Sequence, residues 1–462
     1  MQSDTGRLEK RRAGHRKKTT LVVQPNDTRT TVWRSDMKRP LLTAATVACA
    51  MTTGAMSLNA YANEEYKLGL VTFLSGAASG PFGIPAKNAA DLVIDAINDG
   101  TLPAPIEGKG IDGRMITPVY VDEAGGATKQ TSEFRNLVER DGVDAVVGYI
   151  SSGDCLAIPA VAEELKMLTV LFDCGTPRVF EEADYEYVFR THSTASMDNI
   201  AAARYVHENV PNLESVAGIN QNYSWGHDSW RDFTETLKVL RGGDIEITTE
   251  QFPKLFAGQY GAEISALQVN SADVIHTSFW GGDTDAFVLQ AAARGLLADN
   301  QVIFTAGETA LNSLGEHLPD GAIIGARGPF GPFAPESELN TWFQTEFTER
   351  FGTPPTFPAY HMAHALIGLK LAQDKAGVGA STEEVITAFE GLEFDGPGGR
   401  VEMSRGKGHQ AATEMVYGRL KRVDGEITFT DITRYPADCV NPPEGAETVE
   451  WIKAGMPGAE CN

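Results

Sequence analysis

Two hydrophobic periods, one of 2 and one of about 3.6 residues, alternate along most of this chain. Tyr66–Phe73 is an alternating apolar run and reads as a buried strand. Leu74–Gly83 is a loop rich in Gly, Ser and Ala. Ala86–Asn98 then places Ala89, Ala90, Val93, Ile94 and Ile97 on one helical face. A strand, a small-residue loop and a helix N-terminus in succession bring backbone N–H groups to where an anion can meet them. The alternation continues through strands Ile116–Asp122, Ala145–Tyr149 and Leu168–Phe172 and helices Lys129–Arg140 and Cys155–Leu165. Repeated strand–helix–strand units predict a parallel sheet with helices on both faces.

The pattern restarts at Tyr187–Thr191. Helices Met197–Asn209, Asp228–Leu240, Tyr260–Asn270 and Asp283–Arg294 alternate with strands Ser215–Asn220, Ile245–Gln251, Val274–Ser278 and Val302–Thr305. These predict a second doubly wound sheet, with a hinge near residues 185–190. Helices follow at Glu336–Phe351, Tyr360–Ala376 and Ser381–Phe389, the last with Ser381 and Glu384 at capping-box spacing. Gly396-Pro397-Gly398-Gly399 reads as a turn, and Met415–Leu420 and Glu426–Asp431 as short strands. The tail from Tyr435 is rich in Pro and Gly.

Ahead of the first strand, Met37-Lys38-Arg39, the apolar Leu41–Met56 and Ala60-Tyr61-Ala62 have the form of a cleavable export signal. Residues 1–62 are therefore expected to be an N-terminal extension plus signal (37–62), with Met37 the expected initiator. No other apolar run nears the ~20 residues that span a bilayer. Residues 1–62 carry 11 of the 39 Lys and Arg but only 4 of the 62 Asp and Glu, so the chain beyond them has a net charge of −30. Such acidity argues against nucleic acid or an anionic membrane as partner. Of five cysteines, four lie beyond the signal, an even number that suggests disulfides in an exported protein. Three pairings are possible. Cys155–Cys174 with Cys439–Cys461 is favoured because each bond closes a short loop.

Catalytic and cofactor motifs are wanting. Gly108-x-Gly110-x-x-Gly113 matches a dinucleotide fingerprint in letters, but it precedes a strand instead of following one, and reads as a turn. His361-x-x-His364 offers two ligands on one helical face with no third in prospect, and reads as packing between domains. No cofactor and no metal are expected, and the chain is not expected to be an enzyme.

The loops after the strands carry more. In open parallel sheets, ligands bind outside the strands' carboxyl ends. Ser75–Gly83, Ser151–Asp154, Asp173–Thr176, Asn222–Gly226, Phe279–Asp283 and Gly307–Thr309 all fall at such ends. They offer hydroxyls for an anionic head, aromatic rings for an apolar body and a carboxylate for a cation.

Leu74-Ser75-Gly76, Gly80-Pro81-Phe82-Gly83, Ala96-Ile97-Asn98, Gly110-Ile111-Asp112-Gly113, Tyr120-Val121-Asp122, Val147-Gly148 with Ser151-Ser152, Phe189-Arg190-Thr191, Tyr223-Ser224-Trp225-Gly226 and Ala292-Ala293-Arg294-Gly295-Leu296 are together similar to the type I periplasmic solute-binding proteins of ABC transporters. The chain most resembles the leucine/isoleucine/valine-binding branch. That resemblance implies two doubly wound α/β lobes joined by a three-stranded hinge. Residues 63–188 and 331–400 would form lobe 1, and 189–330 and 401–462 lobe 2. It implies a monomeric periplasmic protein that closes on a small polar solute, an amino acid or related compound, and docks on an inner-membrane permease. A ligand sensor of the same fold for an amide, urea or aromatic acid is the alternative. Carried over, Ser151, Ser152, Gly175 and Thr176 would bind a ligand carboxylate, Glu308 its ammonium, and Tyr223 and Trp280 would line the second lobe. Trp280, Trp225 and Phe279 crowd the expected pocket, and Asp154 and Asp173 add negative charge beside it.

Overall fold

The computed structural model describes residues 65–461. The expected signal and Cys49 lie outside the described residues. Five parallel strands open the chain: β1 (Tyr66–Thr72), β2 (Ile116–Asp122), β3 (Ala145–Gly148), β4 (Thr169–Leu171) and β5 (Val188–Arg190). Five more follow as β6 (Ser215–Ile219), β7 (Glu246–Gln251), β8 (Val274–Thr277), β9 (Gln301–Phe304) and β10 (Ile323–Gly325). Three helices intervene before β11 (Glu393–Gly396), β12 (Gly399–Arg405), β13 (Gln410–Ala412), β14 (Met415–Val423) and β15 (Glu426–Tyr435). The first sheet has the order β11-β12-β13-β5-β4-β3-β1-β2, and the second β15-β14-β10-β9-β8-β6-β7. Both are two-sided α/β layers, as the alternating pattern predicts.

Sequence chemistry explains how each sheet is covered. In β1, Leu68 and Leu70 face the core packed by the Ile84–Asp99 helix, while Val71 faces the core of Phe134, Leu137 and Ile158. Helix Phe357–Ala376 is apolar nearly all round and is buried along most of its length, lying between Ile84–Asp99 and Thr382–Phe389. The capping box at Ser381 and Glu384 forms as expected. Both expected disulfides, Cys155–Cys174 and Cys439–Cys461, are present. The Gly108–Gly113 stretch is a turn closed by a bridge between Ile111 and Arg114.

Three expectations are corrected. Residues 401–412 belong with the first sheet and not the second lobe, because β13 pairs with β5 and β12 pairs antiparallel with β13. The first lobe also runs through Arg190, since β5 pairs with β4 to Arg190. The strands expected at Met415–Leu420 and Glu426–Asp431 are one longer hairpin, turned at Asp424-Gly425 with φ of 54° and 90°, the conformation a tight twisted hairpin needs.

The chain thus passes between the sheets three times, after β5, after β10 and after β13. None of the described helices is long and apolar enough to cross a membrane.

Candidate functional site

The carboxyl ends of the two parallel sheets face one another, and the loops that leave them meet. From the first lobe come Phe82 in the turn Ser79–Gly83, Ile150 and Ser152 after β3, and Gly175 after β4. From the second come Tyr223 and Trp225 after β6, Trp280 after β8 and Ala306 after β9, with Arg327 in the second passage between lobes. These residues enclose a void of about 10 Å³, room for about one water molecule. The lobes are therefore shut on each other. Gly282 N–H donates to Ala77 O at 2.8 Å, and Thr176 Oγ1 donates to Asp228 Oδ2 at 2.8 Å, both across the cleft.

Aromatic rings make most of the wall. Trp280 packs at 5.2 Å from Phe82 and at 5.2 Å from Phe256, and its indole N–H donates to the Tyr223 hydroxyl at 2.6 Å. Trp225 donates to Ser278 O at 2.7 Å and packs against both Gly175 and the Arg327 guanidinium, the latter 4.6 Å from its ring centre. The residues Ser224–Gly226, expected in a loop, form the first turn of helix Ser224–Arg241. Tyr223 supplies an extended N-cap with no side-chain cap bond, so the usual polar start signal is missing.

Arg327 pins the hinge. Its Nη1 donates to Asp173 Oδ1 at 2.6 Å and to Asp173 O at 2.7 Å, its Nε to Asp198 Oδ2 at 3.1 Å, and its Nη2 to Ser193 O at 3.2 Å. Asp173 belongs to the first lobe and Asp198 to the helix Ala195–Asn209 of the second. Burial pushes these carboxyls up, Asp173 to about 8 and Asp198 to about 7, against the pull of Arg327. His361 Nδ1 lies 2.7 Å from Asp173 Oδ1 and donates to it when that oxygen is ionised. His364 Nε2 instead accepts from Gly398 N–H at 3.0 Å. The two histidines pack, and no group of three metal-ligating side chains occurs among the described residues.

Four of the seven residues proposed from the sequence meet at the void: Ser152, Gly175, Tyr223 and Trp280. The other three are engaged elsewhere. Ser151 N–H and Ile150 N–H donate to the fully buried Glu123 carboxyl group at 2.7–3.0 Å, so the protein's own side chain holds these donors. Burial raises both Glu123 and neighbouring Asp154, the latter to about 6. Thr176 turns to Asp228. Glu308 lines a separate cavity of about 320 Å³ with Gly331 and Phe429, and its Oε2 accepts from Phe357 N–H at 3.0 Å. Sequence reasoning did not include Phe82, Ile150, Ala306 or Arg327 in the site. Arg327 does follow a strand, which places it in the class of loop already under suspicion. The Cys155–Cys174 disulfide ties together the two first-lobe loops that carry Ser152 and Gly175.

Glu308, which follows β9 of the second lobe, accepts from Phe357 of the first, so its burial goes with the shut form. Burial pushes its carboxyl up to about 8 from an ordinary value of 4.5. The closed form therefore prefers the protonated acid, and its contribution is full below about 4.5 and lost as pH rises through about 8. Interlobe distance measured by paired fluorophores should lengthen across this window in the wild type. In Glu308→Gln, which keeps an oxygen to accept from Phe357, this dependence should flatten; an unchanged profile would assign it to other groups.

A profile of the family described as "Periplasmic binding protein" matches residues 65–426. A Brucella abortus protein named Leu/Ile/Val-binding protein homolog 4 is 24% identical over 414 residues, covering 85% of this chain and 94% of that one. The solute-binding protein of an ABC transporter from Rhodopseudomonas palustris BisB5, solved with 3,4-dihydroxybenzoic acid, superposes with a TM-score of 0.70 at 22% identity, covering 81% of this chain and 98% of that one. A leucine-, isoleucine-, valine-, threonine- and alanine-binding protein from Brucella ovis, in its closed conformation, gives 0.66 at 20% identity, covering 82% and 97%.

Proposed function

Because the chain belongs to the periplasmic binding protein family, we propose that it captures a small, flat carboxylate-bearing solute between its lobes in the periplasm and presents the closed form to the permease of an ABC importer. The observation that carries this reading is the ring-walled void, in which Tyr223, Trp225, Trp280 and Phe82 surround the Ser152 hydroxyl. Trp280, which packs edge-to-face against Phe82 and Phe256, and the other rings of the wall offer an aromatic surface that suits a ring-bearing body. Ser152 and the Gly175 N–H, which has no acceptor among the described residues, suit its carboxylate. The present void is too small for such a solute, so binding requires the lobes to part and close again by hinge motion. Neighbours of the same fold were solved with aromatic acids.

Calorimetric titration with benzoate, 4-hydroxybenzoate and leucine tests the proposal. A saturable response to the aromatic acids, weakened by about 2 kcal/mol in Trp280→Ala, is expected. Folded protein that takes up none of them would refute the solute class. A second reading, an amino-acid ligand, is favoured by the names of relatives; it requires Glu308, buried after β9 and outside the present void, to reach the cleft when the lobes part and close on the solute. On that reading Glu308→Gln weakens leucine by about 3–5 kcal/mol, because a buried ammonium loses its partner, and does not weaken benzoate. Solute uptake into vesicles carrying the cognate permease separates import from sensing.

A further inference from the structure

A second cavity, of about 270 Å³, lies away from the aromatic cleft, where the C-terminal tail folds back over the first lobe. Its floor is Arg190. This side chain is fully buried and makes no ion pair among the described residues. Its Nε donates to Gln410 Oε1, and its Nη1 donates to Cys174 O at 3.1 Å and Thr176 O at 2.6 Å. Its Nη2 has no acceptor among the described residues. The other cations of the cavity are already matched: Lys407 pairs with Asp184 at 2.6 Å and Arg405 with Asp438 at 3.0 Å. The Glu181 carboxylate is taken by the backbone N–H and hydroxyl of Thr448.

A second polar group in the same cavity is also unmatched. Asn441 is 3% exposed; its Nδ2 donates to Ala437 O at 2.8 Å, while its Oδ1 is buried with no partner. Pro177, Phe180, Met197 and Ala446 supply apolar wall between them. An orphaned buried acceptor and a guanidinium whose charge meets only neutral oxygens and the Phe180 ring, 5.5 Å away, are both costly unless something in the cavity satisfies them. An anion alone would satisfy Arg190 and repel the Asn441 oxygen, so the occupant needs a donor as well. Burial, with the Arg327 charge adding to it against the pull of Glu181, also lowers Arg190 to about 9, the sense expected of a cation with no anion in direct contact.

We propose that this cavity is a second binding site, for a small hydroxycarboxylate whose carboxylate meets Arg190 and whose hydroxyl donates to Asn441 Oδ1. None of the residues enclosing the void lines this cavity.

Calorimetry with 3-hydroxybutyrate, butyrate and 3-hydroxybutyramide on the intact protein tests it. The hydroxy acid should bind about tenfold or more tighter than either analogue, since each analogue leaves one buried group unmatched. Asn441→Leu should erase the preference for the hydroxy acid over butyrate. Ala446→Trp, which fills the cavity from its tail side, should abolish binding of both. Trp280→Ala, which alters only the cleft, should leave the titration unchanged. Retention of binding by folded Ala446→Trp, equal affinity for the amide, or no binding by the wild type through the millimolar range would each overturn the proposal. Arg190 itself is left intact, because its bonds to the carbonyls of Cys174 and Thr176 hold the first-lobe loop together.

Discussion

Alanine at position 175 should hold the protein open. A Cβ on Gly175 would sit 2.2 Å from Trp225 Cζ3, 2.5 Å from Cε3 and 2.9 Å from Arg327 Nη2. None of these atoms can withdraw cheaply. The Trp225 ring is held against the Arg327 guanidinium, 4.6 Å from its centre, and anchored to Ser278 O through its N–H. The clash exists only when the lobes meet, since Gly175 belongs to the first lobe and Trp225 to the second. Overpacking of this kind costs about 1–3 kcal/mol, equivalent to a loss of roughly 5- to 150-fold in affinity for any ligand that needs closure. The thermal unfolding of the variant should stay close to the wild type, while its radius of gyration by small-angle scattering should rise. A variant that scatters and binds like the wild type would show that Trp225 can leave Gly175 without cost.

The second large effect is expected at Arg327. Replacing it with methionine keeps much of the aliphatic stem and removes the guanidinium that both Asp173 and Asp198 face. Breaking a buried pair by deleting one partner typically costs about 3–5 kcal/mol, because a charge is left buried without compensation. Here two carboxyls lose the same cation. Both already lie above the ordinary carboxylate range, at about 8 and about 7, so protonation is their escape. The sign follows from proton binding. The folded state holds protons that the unfolded state has released, so the variant's stability should fall as pH rises above about 4, and its deficit against the wild type should widen through 7 and 8, where the wild type's two carboxyls ionise against Arg327. Denaturant unfolding at pH 5 and pH 8 should show the larger deficit at pH 8. A deficit independent of pH would mean that lost packing against Trp225 and Phe357 dominates instead.

The parts of this architecture that depend on local pattern were legible in the sequence. Strand β1 announces itself by alternation, and Ile84–Asp99 by its small-residue face. Both disulfides followed from loop length alone. The misplaced residues 401–412 show the limit. β13 joins β5 through Gln410 and Arg190, which lie 220 residues apart, and nothing in either segment alone specifies that partner. Arg327 was missed for the same reason. It stands between Ala326 and Gly328, and its partners Asp173 and Asp198 lie 154 and 129 positions away. Within the site, the residue types at strand ends were informative but their directions were not. Ser75, first in the first loop, turns back to Asp122 at 2.5 Å. Ser151 gives its backbone N–H to Glu123, a carboxylate whose role depends on burial that composition cannot reveal.

The threefold passage of the chain has a consequence for how the protein is made. Every strand that finishes the two sheets, β11 to β15, lies beyond residue 392. A chain emerging from its N-terminus therefore first presents two half-built layers, with β5 and β10 as bare edges formed from apolar parallel strands. Such edges are templates for pairing with other chains. Premature termination anywhere in the Thr382–Phe389 helix leaves both edges uncovered together. Its expected product is insoluble aggregate, with no half-active lobe to recover.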